Sequence, residues 1–144
     1  MMDSALYNRD ILRLATSLVA GERLDNPDGV AESRSPICGS RIHAEIVMGA
    51  NGTITAIALR ANACALGQAS AAIVRAHATG CDVEHIAEIR DGLEQALKQN
   101  GEMPAHWPEL ALLAPARDYP SRHAAILLPY DAILAAAAQM KLAS

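Results

Sequence analysis

The chain has no phenylalanine, a single tryptophan and three tyrosines among its 144 residues. Aromatic rings therefore cannot fill the interior. The core must come from aliphatic side chains and from small-residue helices that approach one another closely. Hydrophobic residues make up 51%, enough apolar material for one compact domain spanning residues 1–144. Positive charge is also in short supply. A formal net charge of -4 argues against a nucleic-acid partner, which calls for a basic surface. Met1-Met2-Asp3-Ser4 opens without the basic and apolar regions of a signal peptide. The most apolar stretch, 124–138, is short for a bilayer and contains Pro129, Tyr130 and Asp131. A cytoplasmic protein with no membrane partner is the expectation. No Gly-rich phosphate loop, Ser-His-Asp arrangement or paired-carboxylate spacing stands out, so nothing supports nucleotide binding or an enzyme activity. Three cysteines without a secretion signal do not suggest a disulfide framework.

Alternation identifies one hairpin. Ile42, Ala44, Ile46 and Met48 alternate with Arg41, His43 and Glu45, the pattern of a half-buried strand. Gly49-Ala50-Asn51-Gly52 is a turn signal, since Asn-Gly tolerates positive φ. The partner strand presents Thr55, Ile57 and Leu59 on one face. Helices flank this pair. The first is capped by Asp3 or Ser4, shows Tyr7, Ile11, Leu14 and Leu18 on its apolar face, and ends at Gly21. A small-residue helix over 65–79 turns Leu66, Ala69, Ile73 and Ala76 inward, with Gly80 past its end. A more polar helix over 83–98 carries Ile86, Ile89, Leu93 and Leu97. The last helix starts at Ser121 and presents Ile126, Tyr130, Ile133, Ala137 and Met140, with Pro129 predicted to kink it. Residues 22–37 lack periodicity and read as a loop, and 107–113 as a short turn or helix. The order predicts an α+β fold, a small antiparallel sheet covered by helices.

Cys38 and Cys64 sit at junctions rather than inside apolar runs. Cys38 lies in Pro36-Ile37-Cys38-Gly39-Ser40, just before the first strand of the hairpin. Cys64 lies in Asn62-Ala63-Cys64-Ala65-Leu66-Gly67, between the second strand and a helix. A thiol just ahead of a helix meets unpaired N–H groups and the positive end of the dipole, which favours thiolate. Thiolate is the form that binds soft metals or accepts sulfur. The competing reading is a pair of small buried hydrophobes. Cys81, after Gly80 at a helix-to-helix corner, reads as structural. His43 reads as solvent-facing, and His77, His85 and His106 fall on polar helix faces or a loop without usable geometry.

The run from Cys38 through the hairpin to Cys64, and then the helix ending Ala78-Thr79-Gly80, resembles the U-type iron–sulfur assembly scaffold family: IscU, SufU and the amino-terminal domain of NifU. In that family the first cysteine stands in Cys-Gly-Asp, the second ends the hairpin, and a third opens the last long helix. Asn26-Pro27 resembles the family's early Asn-Pro, and Ala111-Leu112-Leu113-Ala114-Pro115-Ala116-Arg117-Asp118-Tyr119-Pro120-Ser121-Arg122 resembles SufU's approach to its third cysteine. The chain departs from the pattern at two places. Ser40 stands where the family has aspartate. With Pro120 and Arg122 set on the family's Pro-x-Arg, the third cysteine falls on Ala125. The IscU histidine before that cysteine would fall on Ala124, one residue from His123.

The resemblance implies a SufU/IscU-like fold and a role in iron–sulfur cluster assembly, as scaffold or sulfur-transfer module. Cys38 and Cys64 would hold iron, a cluster or zinc, with His123 as a third donor and Ser40, Glu45 or water as a fourth. The partners implied are a cysteine desulfurase and iron–sulfur recipient proteins. Tyr119-Pro120-Ser121-Arg122-His123 does not match the Leu-Pro-Pro-Val-Lys segment that IscU members present to a chaperone. The family geometry further implies that Cys38, Cys64 and the start of the last helix meet at one end of the sheet. Cys38 and Cys64 would then be near the roughly 7 Å Cα separation a disulfide requires. The alternative is an adaptor or regulator of the same pathway that keeps the fold and partner surface without the metal.

Overall fold

The computed structural model describes residues 7–36 and 39–143, with side chains to residue 140. Helix α1 (Arg9–Ser17) is followed by strands β1 (Gly29–Arg34), β2 (Arg41–Met48) and β3 (Ile54–Asn62). Helices α2 (Ala65–Ala78) and α3 (Val83–Lys98) come next. Two 3-10 segments, Pro108–Asp118 and Pro120–Arg122, then lead into α4 (His123–Ala143). The expected α+β architecture is present, with three strands rather than two. The sheet is antiparallel in the order β1-β2-β3.

β2 and β3 form the predicted hairpin. Ile46 pairs with Ile57 and Ala44 with Leu59, so the alternating apolar residues share one face. The Asn-Gly turn works as expected: Gly52 has a φ of +81°, which an L side chain rarely adopts, and its N–H donates to the Gly49 carbonyl at 3.0 Å. The added strand β1 lies in the stretch read from sequence as a loop. It pairs with β2 in the register Gly29↔Ile46 through Arg34↔Arg41. Its periodicity is hidden because α4 presses directly upon it. A Cβ on Gly29 would stand 2.3 Å from the Ala136 carbonyl oxygen, so only glycine permits this approach.

α4 covers β1 and β2, α2 covers β3, and α1 packs on α2. The core between them is Ile11, Ile42, Ile46, Leu59, Leu66, Ile73, Ile89, Leu93, Ile126 and Ile133, all fully buried. Alanine and serine let α2 and α4 meet closely; the Ser70 hydroxyl donates to the Ile126 carbonyl at 2.6 Å. α4 is one helix of 21 residues starting at His123, not Ser121, and it runs through Pro129. The segment Pro120–Met140 is long and apolar enough to cross a membrane, but 61% of its apolar 18-residue window is buried inside the fold, so the protein's own core accounts for its apolarity. α1 is capped by Asn8, whose Oδ1 accepts from the Ile11 N–H at 3.0 Å; the expected caps Asp3 and Ser4 lie outside the described residues.

The other sheet face carries Glu32, His43 and Arg60 in a cross-strand row, with Val30, Glu45 and Ala58 in the next. Glu45 was expected to face solvent and is instead 7% exposed. The loop after α1 folds over it: the Leu24 N–H donates to Glu45 Oε1 at 2.8 Å. Glu22, two residues earlier, makes a two-pronged ion pair with Arg75 of α2. These contacts hold the loop between α1 and β1 across the outer face.

Candidate functional site

Cys64 is the N-cap of α2, with extended backbone (φ -65°, ψ 169°) and no side-chain capping bond. Its carbonyl accepts from the Gln68 N–H at 2.9 Å, while the Gln68 side-chain amide donates to the Ala63 carbonyl, also at 2.9 Å. The half-buried thiol is thus placed at the first turn of α2, where the leading backbone N–H groups have no helical acceptor. The chain enters this position straight from β3, whose last residue Asn62 pairs with Arg41.

Cys38 lies outside the described residues, and so do its separation from Cys64 and the disulfide expectation. Its flanks are well placed. The Ser35 N–H donates to the Ser40 carbonyl and the Gly39 N–H to the Ser35 carbonyl, both at 2.9 Å, which closes the β1–β2 connection into a tight loop. Gly39 has a φ of +73°, which explains a glycine next to this cysteine. Because Arg41 pairs with Asn62, the Gly39-Ser40 flank and Cys64 emerge from the same end of the sheet. Ser40 is buried there at 5% exposure.

Ala125 and His123 go to different places. Ala125 is buried where α4 crosses the start of α2: a Cβ on Gly67 would stand 3.6 Å from the Ala125 Cβ and 2.8 Å from that of Ala63. Pro129, four residues on, has no N–H to offer the Ala125 carbonyl. His123 is two residues earlier and so turned by about 200° around the helix. Its Nε2 donates to the Ala116 carbonyl at 2.8 Å, a bond from the buried imidazole to the preceding 3-10 segment. In a neutral imidazole, donation from Nε2 leaves the lone pair on Nδ1. The ring borders a cavity of about 280 Å³ with Ser35 and Pro36, the residues leading into Cys38, and with Arg90 and Asp131. The Ser35 hydroxyl is buried with no hydrogen-bond partner among the described residues.

Glu45, considered from sequence as a fourth ligand, has both oxygens engaged. Besides Leu24 it meets His43 Nε2 at 3.1 Å and Arg60 at 3.3 Å. The Leu24 N–H and these two neighbours hold its carboxyl below the ordinary value of 4.5 against the opposing effect of burial. His43 is therefore half-buried and bonded rather than free in solvent. Cys81 takes the structural part expected of it: its thiol donates to the His77 carbonyl at 3.2 Å, and burial pushes its pKa up.

Three histidines dismissed from sequence gather around the single tryptophan. His77 stacks on Trp107 at 5.1 Å and binds Glu109 at 3.0 Å, while His85 meets His106 edge-on at 5.2 Å and Trp107 at 6.5 Å. The spacing of His85 and Glu88, one helical turn apart, was visible in the sequence. The arrival of His106 beside them was not, because it depends on where the 99–107 connection returns to the fold.

Residues 10–125 match the profile of the NifU-like N-terminal domain. A solved structure of a nitrogen-fixing NifU-like protein (N-terminal) from Brucella abortus is 32% identical, covers 100% of both chains and superposes with a TM-score of 0.92. A candidate iron–sulfur cluster assembly scaffold protein for the SUF system from the thermophile Fervidobacterium islandicum AW-1 shares the fold at 18% identity and a TM-score of 0.82, over 92% of this chain and 97% of that one. A third structure, of a hypothetical protein, is 23% identical with a TM-score of 0.77, over 96% and 98% of the two chains. No curated protein sequence matches the chain. The family match over four-fifths of the sequence agrees with the helix-covered sheet and its cysteine-bearing end: this chain belongs to the NifU-like N-terminal domain family.

Proposed function

We propose that this protein serves iron–sulfur cluster assembly, with Cys64 and Cys38 as the thiolates that take up sulfur or hold iron and the nascent cluster as cargo. The observation that carries the reading is the N-cap position of Cys64, half-exposed at the first turn of α2, on the sheet end from which the Gly39-Ser40 flank of Cys38 also emerges. Family membership and the scaffold described for the Fervidobacterium relative support it. In sulfur transfer, a cysteine thiolate of this chain attacks the outer sulfur of a desulfurase persulfide. The donor's S–S bond breaks, its thiolate leaves, and a new S–S bond forms on the acceptor. In cluster holding, Ser40 and the Nδ1 of His123 supplement the two thiolates, with His123 approaching from the Ser35-Pro36 side. Zinc suits the same donors. Cytoplasmic location and desulfurase and recipient partners belong to this reading.

One observation favours the second reading, an adaptor without metal chemistry. Ala125 closes with its methyl group, against Gly67, the position where the family's third thiolate would enter. The experiment is anaerobic reconstitution with iron and sulfide, followed by elemental analysis, of the parent and of Cys38→Ala, Cys64→Ala, His123→Ala and Ala125→Cys variants. The assembly reading expects both cysteine variants to lose iron and Ala125→Cys to hold it more firmly than the parent. Equal iron in the parent and the cysteine variants would establish the adaptor reading instead.

A further inference from the structure

A second cluster of ligand-type side chains lies at the other end of α2 from Cys64. α2 has 14 residues, so its two ends stand about 20 Å apart. Beyond its C-terminus the chain turns through Cys81 into α3, whose start is held rigidly. Asp82 caps it, accepting from the His85 N–H at 2.8 Å, and Thr53 of the hairpin turn bridges to Asp82. His85 and Glu88 occupy adjacent turns of one helix face. His106 is delivered by the chain returning from α3, and the next residue, Trp107, is buried at 5% exposure between His77 and Tyr130, which anchors the loop.

The ligand atoms of His85, Glu88 and His106 all lie within 4.8 Å of one another. A tetrahedral ion with bonds of about 2.1 Å separates its ligand atoms by about 3.4 Å, so side-chain shifts of roughly an ångström in the exposed Glu88 and His106 and the half-buried His85 close the site. The hydrogen bonding of the five histidines separates these two from the rest. His43 is bonded to Glu45, His77 to Glu109 and His123 to the Ala116 carbonyl. Among the described residues the rings of His85 and His106 make no hydrogen bond, and Glu88 makes no ion pair. Two imidazoles and a carboxylate whose ligand atoms lie this close, and which make no hydrogen bond or ion pair among the described residues, are a donor set for a divalent transition metal rather than for calcium or magnesium, which prefer all-oxygen sites.

We propose that His85, Glu88 and His106 form a binding site for a divalent zinc-type transition-metal ion, separate from the cysteine end of the molecule. The imidazoles bind as neutral nitrogen donors and Glu88 as an anion, and because the cluster is open to solvent, water completes the coordination. The bound ion ties α3 to the loop that carries Trp107. This inference stands whether or not the cysteines assemble clusters.

The only tryptophan in the chain reports on the site directly, since its ring is 6.5 Å from that of His85. Ni²⁺ has an open d shell and quenches indole emission at such a range; Zn²⁺ does not quench. Titration of the full-length protein with Ni²⁺ should quench Trp107 fluorescence saturably at one ion per chain, and added Zn²⁺ should restore it. His106→Ala and His85→Ala should each weaken the Ni²⁺ response at least about tenfold, since loss of a ligand costs no less than loss of its supporting contacts. His43→Ala and the thiol-free Cys38→Ser/Cys64→Ser/Cys81→Ser variant should respond as the parent does. Unsaturable quenching, or quenching unchanged in the His85→Ala/His106→Ala double variant, would overturn the proposal. So would a response lost in the thiol-free variant while its circular dichroism matches the parent's. His106 is exposed and His85 only half-buried, so their variants fold and the test does not depend on the thiol-free protein.

Discussion

Removing the charge of Glu45 should unfasten the loop between α1 and β1 without touching the cysteine end. In Glu45→Gln the amide oxygen can still accept from the Leu24 N–H, now 2.8 Å from Oε1. The amide nitrogen would then face two donors, His43 Nε2 and the Arg60 guanidinium, which now bond Oε2 at 3.1 and 3.3 Å. Two charge-assisted contacts are lost in a buried setting, and the cost should be about 1.5–3 kcal/mol. For a domain of this size that lowers Tm by roughly 5–10 °C. The pH dependence has a definite sign. The folded carboxyl is held below 4.5 by Leu24 first and by His43 and Arg60 after it. Its stabilisation is therefore fully present above that value and is lost as pH falls through the lower folded one. Urea denaturation at pH 7 should show the full difference between parent and variant, and the difference should shrink below pH 4.5 as the parent carboxylate protonates. Iron loading should be unchanged, since neither oxygen of Glu45 is available as a ligand. The reasoning fails if stabilities at pH 7 agree within about 0.5 kcal/mol, as for an ordinary surface change. It also fails if iron binding drops while stability holds.

Other substitutions test the packing that places the site. Gly29→Ala would set a methyl group 2.3 Å from the backbone oxygen of Ala136, so the helix or strand must move. A loss of about 1–3 kcal/mol or more by urea denaturation is expected, and an unchanged midpoint would contradict the close approach. Tyr130→Phe removes a buried hydroxyl that has no hydrogen-bond partner among the described residues and whose ionisation is suppressed by burial. Stability should rise by about 1 kcal/mol, and a fall would mean that the hydroxyl finds a partner in solution. Ser70→Ala deletes the 2.6 Å bond to the Ile126 carbonyl and should cost about 1 kcal/mol, with faster amide exchange at the start of α2 beside Cys64. Glu22→Gln should weaken the pairing with Arg75, whose hydrogen bond is the main cause of the lowered Glu22 pKa, and flatten the loss of stability below pH 4.5.

Much of this protein was legible from local patterns. The β2–β3 hairpin follows from strict alternation and an Asn-Gly turn, because a strand with one buried face must repeat every second residue. The helices follow from their apolar stripes and from Gly80 at a corner with a φ of +93°. The junction positions of Cys38 and Cys64 pointed to the family and to the end of the sheet where its chemistry is expected. Contacts between segments distant in sequence decided the rest. β1 has no alternation to read, since its pairing with β2 and the pressure of Ala136 on Gly29 define it. The 11-residue 3-10 segment Pro108–Asp118 exceeded the short turn expected around Trp107, and the His123 imidazole bonds back onto its Ala116 carbonyl. Glu45 is buried because a loop 21 residues away in sequence covers it. His85 and His106, 21 positions apart, become neighbours only when Trp107 docks between His77 and Tyr130. Periodicity records which face a residue presents, whereas the partner that face meets is set by chain closure over tens of residues, and no local pattern encodes it.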